Sequence, residues 1–260
     1  MDTKRQSFLN QTLEKIPANT VVLSSWLKKQ GVSNDLQQRY KKNGWLKPVG
    51  KGAFLKFSSD CASVEGALYA LQKQANLNVH IGGLSALTLN GKAHYVRVKN
   101  SYQLFAYKKT LIPKWIREYN FGKDSKIEIH KTSFLPLDLG LKEYDVNGNY
   151  KITIATPERA MLETLYLTPK NVNIDETFKI FEGLSGLKPT VLQPLLENCS
   201  SIKVKRLFLF FADKFDFAWL KYLNLKKIDL GEGKRSIIKG GKLDKKYNIV
   251  VGGIDFENRF

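Results

Sequence analysis

The sequence predicts an α+β protein in which a small helical head with a hairpin precedes a mixed α/β body. Three observations predict this fold class. Between Val22 and Phe57, two short helical patterns separated by a glycine are followed by two strand-like runs. From Asn78, short apolar strands alternate with Gly, Asn and Pro, and from Thr156 longer helical patterns dominate. A chain of 260 residues is long enough for two or three compact units.

The head opens with one helix that ends at a proline and a second that ends at a glycine. Lys4 to Ile16 form an amphipathic pattern closed by Pro17. Ser24 is expected to cap the next helix, because its hydroxyl can accept a hydrogen bond from an unpaired first-turn N–H. Gly31 ends that helix, since glycine readily adopts the left-handed conformation found at helix ends. These helices are expected to form a trihelical core with the one that follows.

The third helix, Asn34 to Lys42, carries the surface that we expect to face DNA. Ser33 precedes it as a cap, and its strongly apolar residues, Leu36 and Tyr40, share one buried face. The opposite face is rich in amides and cations, which suit base edges and phosphates when a helix lies in the major groove. A solvated polar face is the alternative interpretation, and the turn before the helix and the hairpin after it favour DNA. The candidate DNA-binding residues here are Ser33, Asn34, Gln37, Gln38, Arg39, Lys41 and Lys42.

A two-stranded hairpin follows the third helix. Trp45 to Val49 and Ala53 to Phe57 are strand-like, and Gly50-Lys51-Gly52 between them suits a tight turn. Its lysines are expected to contact phosphates beside the groove, and they are Lys47, Lys51 and Lys56. Helix, turn, helix and hairpin together predict a winged helix-turn-helix domain over residues 1–58.

The charge of the chain favours nucleic acid as its partner. The formal net charge is +18, and residues 1–57 hold 11 Lys and Arg against 3 Asp and Glu. Nucleic acid, an anionic membrane or an acidic protein would each attract such a chain. Nucleic acid is favoured because the excess charge coincides with the groove-reading pattern.

The sequence predicts a cytoplasmic protein. The polar start MDTKRQSF does not resemble a signal peptide, and the longest apolar run, residues 207–212, is too short to span a bilayer. Cys61 and Cys199 lie far apart without metal-ligand neighbours, so free thiols are expected.

The body, residues 59–260, is expected to mix helices and strands, with a possible internal boundary near residues 150–156. A helix from Cys61 to Ala75 links the head to it. Thr156 is expected to cap a helix that has proline at its first position. Further helices are predicted at residues 85–91, 173–184, 190–199 and 201–215, and strands at 78–83, 94–98, 102–108, 126–132, 226–230, 235–239 and 247–251.

The pattern of ionisable residues predicts no catalytic residue, metal site or cofactor. The three histidines, His80, His94 and His130, are dispersed, and none stands at metal-pair spacing from another His or Cys. A nuclease-like body is the alternative, because Asp124, Lys126 and Glu128 place acids and a lysine near one strand. A solvated strand end is the favoured interpretation of these residues, and metal-dependent cleavage of DNA would separate the two interpretations.

Five segments together resemble the abortive-infection AbiE-type antitoxins, the transcriptional-regulator half of a type IV toxin–antitoxin pair. The resemblance covers essentially the whole chain and rests on the order of the segments. They are YKKNGWLKPVGKGAF, ALYALQKQANLNVHIGGLSALTLNGKAHYV, ATPERAMLETLY, CSSIKVKRLFLFFADK and LGEGKRSIIKGGKLDKKYNIVV.

This resemblance implies a repressor that binds inverted repeats in its own promoter, with a body that counteracts a nucleotidyltransferase toxin. It assigns no base contact to any residue of the third helix. The Gly-Ser and paired aspartates of a nucleotidyltransferase are absent from this sequence, so the chain is not the toxin itself. A repressor without a toxin partner is a third possibility, which the neighbouring gene would decide.

A second basic cluster lies in the body, at Lys203, Lys205 and Arg206. Two interpretations are open for these residues. They form a second phosphate-contacting patch, or they form a solvated face that meets an acidic partner.

Overall fold

The computed structural model describes residues 11–56, 61–92, 101–122 and 125–252. The chain forms two compact units, the first of residues 1–80, 99–131 and 143–153 and the second of residues 81–98, 132–142 and 154–260. The start of the first predicted helix, the end of the hairpin at Phe57 and the predicted strand at 94–98 lie outside the described residues. Among the described helices, none is both long and apolar enough to cross a membrane.

The head occupies the start of the first unit and has the predicted order of elements, with one addition. Residues 11–14 are helical (α1), and a short strand that the sequence did not predict, β1, pairs antiparallel with the last strand of the hairpin. The sheet order is β1-β3-β2. The remaining elements are β1 (Val21–Leu23), α2 (Ser24–Lys29), α3 (Asn34–Lys42), β2 (Leu46–Gly50) and β3 (Ala53–Lys56). This confirms the predicted fold class at the N-terminus, a winged helix-turn-helix.

The core of the head is apolar and draws on every one of its helices. Tyr40 of α3 is buried, and its ring lies 5.4 Å from that of Trp45. Leu36, which was expected to share that burial, is only partly buried at the edge of the core. The fully enclosed members of the cluster are Leu13, Ile16, Val22, Leu27, Val32, Tyr40, Leu46 and Phe54.

The rest of the first unit consists of a two-part helix and most of a five-stranded sheet. Helix α4 (Val64–Tyr69) continues directly as a π-helical segment, Ala70–Gln74. The sheet has the order β6-β5-β4-β8-β7, and a short helix, α6 (Trp115–Glu118), lies between β5 and β6. The strands are β4 (Val79–Ile81), β5 (Ser101–Tyr107), β6 (Lys126–Thr132), β7 (Leu141–Val146) and β8 (Tyr150–Ala155).

Two glycines allow close packing within the first unit. A Cβ on Gly66 of α4 would lie 2.1 Å from the carbonyl oxygen of Asn19, and a Cβ on Gly50 would lie 2.4 Å from the Cβ of Trp115. Neither position has room for a side chain. The segment before β1 therefore packs directly on α4, and β2 packs directly on α6.

The second unit is mainly helical and ends in a small sheet of order β10-β11-β9. Each of its five described α-helices overlaps one of the five predicted there. The strand predicted at 226–230 is wrong, because residues 225–227 form a 3-10 turn. Thr156 occupies the position before α7 without a hydrogen bond from its side chain. The elements are α5 (Gly83–Leu89), α7 (Pro157–Leu167), α8 (Ile174–Glu182), α9 (Pro189–Glu197), α10 (Ile202–Lys214), β9 (Arg235–Ser236), β10 (Lys242–Asp244) and β11 (Ile249–Val251).

A buried ion pair ties α7 to its surroundings in the second unit. The Arg159 Nε donates to the Glu163 carboxylate at 2.8 Å, and the other oxygen of that carboxylate accepts from the Gly83 N–H. The Arg159 guanidinium also donates to the carbonyls of Pro136 and Leu139, each at 2.6 Å. Both charges thus have hydrogen-bond partners beyond each other, which offset the cost of burying the ion pair.

Candidate nucleic-acid interface

The turn between α2 and α3 is built as the sequence predicts. Gly31 has φ +89°, and its N–H bonds to the Lys28 carbonyl at 2.9 Å. The Ser33 hydroxyl accepts a hydrogen bond from the Leu36 N–H, so Ser33 is the cap of α3. A glycine in the left-handed region and a side-chain cap fix where α2 ends and α3 begins.

One face of α3 is open to solvent and combines amides with cations. Lys41 is partly exposed, and its Nζ lies 3.3 Å from the Gln38 side-chain oxygen. Asp35 is the single carboxylate of this helix. The exposed residues are Asn34, Asp35, Gln38, Arg39 and Lys42. This surface has the donors, acceptors and positive charge that base edges and phosphates require.

Gln37 does not belong to this face, which corrects its selection as a DNA-binding residue. It is 2% exposed, and its amide donates to the Val32 carbonyl at 2.9 Å. Its side-chain oxygen accepts from the Ser24 hydroxyl at 2.7 Å. The predicted cap at Ser24 is wrong for the same reason, since that hydroxyl bonds Gln37 and caps no helix. Gln37 thus joins α3 to α2.

The wing presents two lysines of the predicted three. Lys47 and Lys51 are exposed, and Lys51 lies in the turn with Gly52, whose φ is +76°. Lys56 is different, because its Nζ donates to the Ile16 carbonyl at 2.8 Å, at the end of the first helix. This bond ties Lys56 to the first helix of the head, and its phosphate contact stays a prediction.

Two exposed lysines near the turn were missed by the sequence analysis. Lys28 and Lys29 end α2, one residue before Gly31, and both are exposed. The available signal was their place on the first helix of the motif, since that helix crosses the DNA backbone. Lys28 and Lys29 join the candidate phosphate contacts.

The second basic cluster does not form a surface patch, and its prediction is wrong for two of its three residues. Lys205 is 3% exposed and Arg206 is 2% exposed. The Arg206 guanidinium donates to four backbone carbonyls between 2.6 and 2.9 Å, those of Leu230, Gly231, Gly233 and Asn248. Arg206 therefore holds the loop before β9 against α10, within the second unit.

Lys203 is also committed to backbone, although part of it reaches solvent. Its Nζ donates to the carbonyls of Tyr166 and Thr168, at 2.7 and 2.6 Å. These carbonyls lie at the end of α7, where a cation is favourable. Burial lowers the pKa of the Lys203 amine from 10.5 to about 8. Lys203 and Arg206 thus stabilise the second unit through bonds to backbone carbonyls.

The residues behind the nuclease alternative show no metal-binding arrangement in the part of the chain that is described. Asp124 lies outside it, and Lys126 forms an exposed ion pair with Glu128 at 2.8 Å, which raises the pKa of the Lys126 amine. Within the described ranges, no group of three or more His, Cys, Asp or Glu side chains could hold a metal ion.

Two family models together match nearly the whole chain. Residues 5–98 match the family described as "Transcriptional regulator, AbiEi antitoxin N-terminal domain". Residues 99–252 match "Transcriptional regulator, AbiEi antitoxin, Type IV TA system". The chain belongs to the AbiEi antitoxin family. It is a transcriptional regulator and antitoxin of the type IV class, and the resemblance found in the sequence is confirmed.

Among solved structures, this AbiEi family member is similar to the crystal structure of the RV2827C protein from Mycobacterium tuberculosis. The TM-score is 0.58 at 13% sequence identity, and the match covers 89% of this chain and 86% of that one. At that identity the likeness concerns the fold alone. A search of curated proteins found no match.

Proposed function

We propose that this chain is a sequence-specific DNA-binding repressor that binds inverted repeats in its own promoter. The observation that carries the proposal is the exposed face of α3, where Asn34 and Gln38 stand one turn apart beside the cations Arg39 and Lys42. Amides of this kind bond adenine edges, and cations bond guanine or phosphate. The exposed wing lysines, Lys47 and Lys51, supply phosphate contacts beside the same groove.

We also propose that the chain counteracts a nucleotidyltransferase toxin encoded beside it, and that it does so without catalysis. Membership of the antitoxin family supports this part of the proposal. As a promoter-bound repressor the protein would act in the cytoplasm. The direct contact between antitoxin and toxin is a separate question, which copurification of the two proteins decides.

The test of repression is a titration of the full-length protein against two duplexes of equal length and composition. One carries the inverted repeats of the promoter and the other a scrambled sequence. We expect about 10³-fold or greater preference for the promoter duplex at physiological salt, as for other specific regulators. Equal affinity for the two duplexes would contradict sequence-specific repression.

The test of the antitoxin function is growth of cells that express the neighbouring nucleotidyltransferase. Coexpression of this chain should restore growth, and unrestored growth at equal toxin levels would contradict the proposal.

A further inference from the structure

The π-helical segment that follows α4 carries two glutamines whose amides bond to two different sheets of the first unit. We propose that one of them, Gln74, is a positioning residue for the recognition helix α3, which it holds in place through β1 and Ser24. The consequence for DNA rests on the proposed function. The structural part of the inference stands on hydrogen bonds within the first unit alone.

Gln74 completes the free edge of β1. This strand is the outer one of the sheet β1-β3-β2, so its outward backbone groups have no neighbouring strand. The Gln74 side-chain oxygen accepts from the Leu23 N–H, and its amide donates to the Val21 carbonyl, both at 2.8 Å. One carboxamide thus replaces the peptide group of a missing strand, and Gln74 is buried as it does so.

The residue after Leu23 connects this edge to both DNA-facing elements. The Ser24 N–H donates to the Gly52 carbonyl in the wing turn at 2.8 Å. The Ser24 hydroxyl donates to the Gln37 side chain of α3 at 2.7 Å. The Gln37 amide also donates to the Val32 carbonyl, which lies in the loop before α3. Because Leu23 and Ser24 are adjacent, fixing the backbone of Leu23 restricts the position of Ser24, and with it the wing turn and α3.

The second glutamine anchors the same segment to the five-stranded sheet. The Gln72 amide donates to the carbonyls of Val79 and Thr153, at 2.7 and 2.9 Å. Its side-chain oxygen accepts from the Thr153 N–H at 2.8 Å. Residues two positions apart on a helix point to nearly opposite sides, so Gln72 and Gln74 bond different sheets. Side-chain hydrogen bonds joined by two short backbone segments, Gln72 to Gln74 and Leu23 to Ser24, therefore connect β8 to the recognition helix.

This path makes α3 dependent on residues beyond the head itself. The exposed face of α3 owes its orientation to Tyr40 in the apolar core and to Gln37 on the Ser24 hydroxyl. Loss of Gln74 leaves the core intact and frees the β1 edge, so we expect increased motion of α2 and α3 without global unfolding. Recognition of base edges demands fixed side-chain positions, and binding to phosphates alone tolerates movement.

The test uses the full-length protein and Gln74→Met, which keeps the volume and removes both hydrogen bonds. The matched control is Gln193→Met in the second unit. The Gln193 side chain likewise donates to a backbone carbonyl and accepts from a backbone N–H, both of Asn224, at 3.2 and 2.8 Å. Its amide also donates to the Glu197 carboxylate at 2.6 Å, so Gln193→Met removes at least as many hydrogen bonds as Gln74→Met. If Gln74→Met fails to fold, Gln74→Asn keeps the uncharged carboxamide but shortens the side chain by one methylene, so that it cannot span both backbone groups, and a smaller effect is expected.

Hydrogen exchange provides the first readout and needs no DNA. The α3 amides, including that of Gln37, should exchange at least tenfold faster in Gln74→Met than in the wild type, with no change in Gln193→Met. Unchanged α3 protection in the folded variant would overturn the positioning role. A uniform increase over the whole first unit would also overturn it, since Gln74 would then only support general stability.

Operator binding provides the second readout. Gln74→Met should lower promoter-duplex affinity about tenfold, or 1.4 kcal/mol, and leave scrambled-duplex affinity nearly unchanged. In a Gln37→Met background the same change should have little further effect, because the path is already broken. Full additivity would overturn the inference. A wild-type protein without promoter preference would contradict the proposed function, and the exchange result would still decide the role of Gln74.

Discussion

Three amide side chains of α3 have two different roles, although they are chemically alike. Asn34 and Gln38 point to solvent, whereas Gln37 is enclosed and bonds Ser24 and Val32. Only the first two are available to a DNA base. Residue type alone does not separate these roles, and the helical position relative to Tyr40 does.

The first prediction concerns the two exposed amides. Asn34→Ala and Gln38→Ala should each weaken binding to the promoter duplex by about 1–3 kcal/mol if the amide makes a bidentate base contact. Binding to scrambled duplex should hardly change, because an uncharged amide adds little to phosphate attraction. The measurement is a titration of each variant against both duplexes at one salt concentration, with thermal melts to verify folding. An unchanged promoter-to-scrambled ratio for both variants would exclude this face of α3 as the reading surface.

The second prediction concerns the buried thiol of Cys199. Burial raises the pKa of this thiol from 9.0 to about 11. Between pH 9 and pH 11 the unfolded chain releases the proton while the folded protein keeps it, so the free energy of unfolding falls as pH rises. Urea titrations of wild type and Cys199→Ala across this window should show a difference that shrinks with pH. A constant difference would mean that the folded thiol titrates normally.

Some residue roles followed from the sequence because their partners are close along the chain. The hydrogen-bond partners of Gly31 and Ser33 are only three residues away, and both predictions are confirmed. Arg206 was misassigned because its four carbonyl partners lie 24 to 42 residues away. A basic residue on a helix is usually solvated, and nothing local indicates that a distant loop will enclose it.

At the scale of elements, the wing combines a tight glycine turn with two exposed lysines. The third prediction is that Lys47→Ala and Lys51→Ala weaken binding to promoter and scrambled duplex alike. Each lost phosphate contact should reduce the slope of log affinity against log salt by about 0.9. Salt titrations of the single and double variants measure this slope.

The control for the wing removes the same number of positive charges from a site outside the head. Lys226 and Lys227 are exposed in the second unit, and their replacement by alanine removes the same two charges. The control should retain the wild-type slope. A wing double variant that retains it too would show that the hairpin does not touch phosphate.

Elements were predictable where periodicity and turn residues agree, as in α3, the hairpin and α10. Strand β1 was missed because it has only three residues and pairs with β3, where Val22 lies opposite Phe54. Such a strand forms only because it pairs with a strand about thirty residues away, and its own sequence shows no alternation of apolar and polar residues. The π-helical register of Ala70–Gln74 was likewise invisible, since an ordinary helical pattern describes those residues equally well.

At the scale of the whole molecule, repression and toxin neutralisation are expected to separate. The fourth prediction uses a full-length protein that carries Gln38→Ala, Lys47→Ala and Lys51→Ala together. All three side chains are exposed, so the variant should fold. It should fail to repress a promoter reporter and still restore growth of toxin-expressing cells. Loss of both functions in the folded variant would mean that neutralisation also depends on the DNA-facing surface.

The domain boundary near residue 58 stays a prediction, and the structure shows which contacts a fragment ending there would lose. A fragment ending there lacks Gln74 and leaves the Leu23 N–H and the Val21 carbonyl without their partners. In that fragment the outer edge of β1 is open to water and to pairing with other chains. Denaturation of fragments 1–58 and 1–80 plus their titration against promoter duplex would measure how far the head is autonomous.

The division of α3 into an enclosed face and an open face bears on how such regulators diversify. Tyr40 and Gln37 cannot change without disturbing the head, whereas Asn34 and Gln38 contribute nothing to its core. Under the proposed function, a duplicated gene can exchange the two open amides and acquire a new target site while its fold is preserved. Several such proteins in one genome can then each bind only their own promoter.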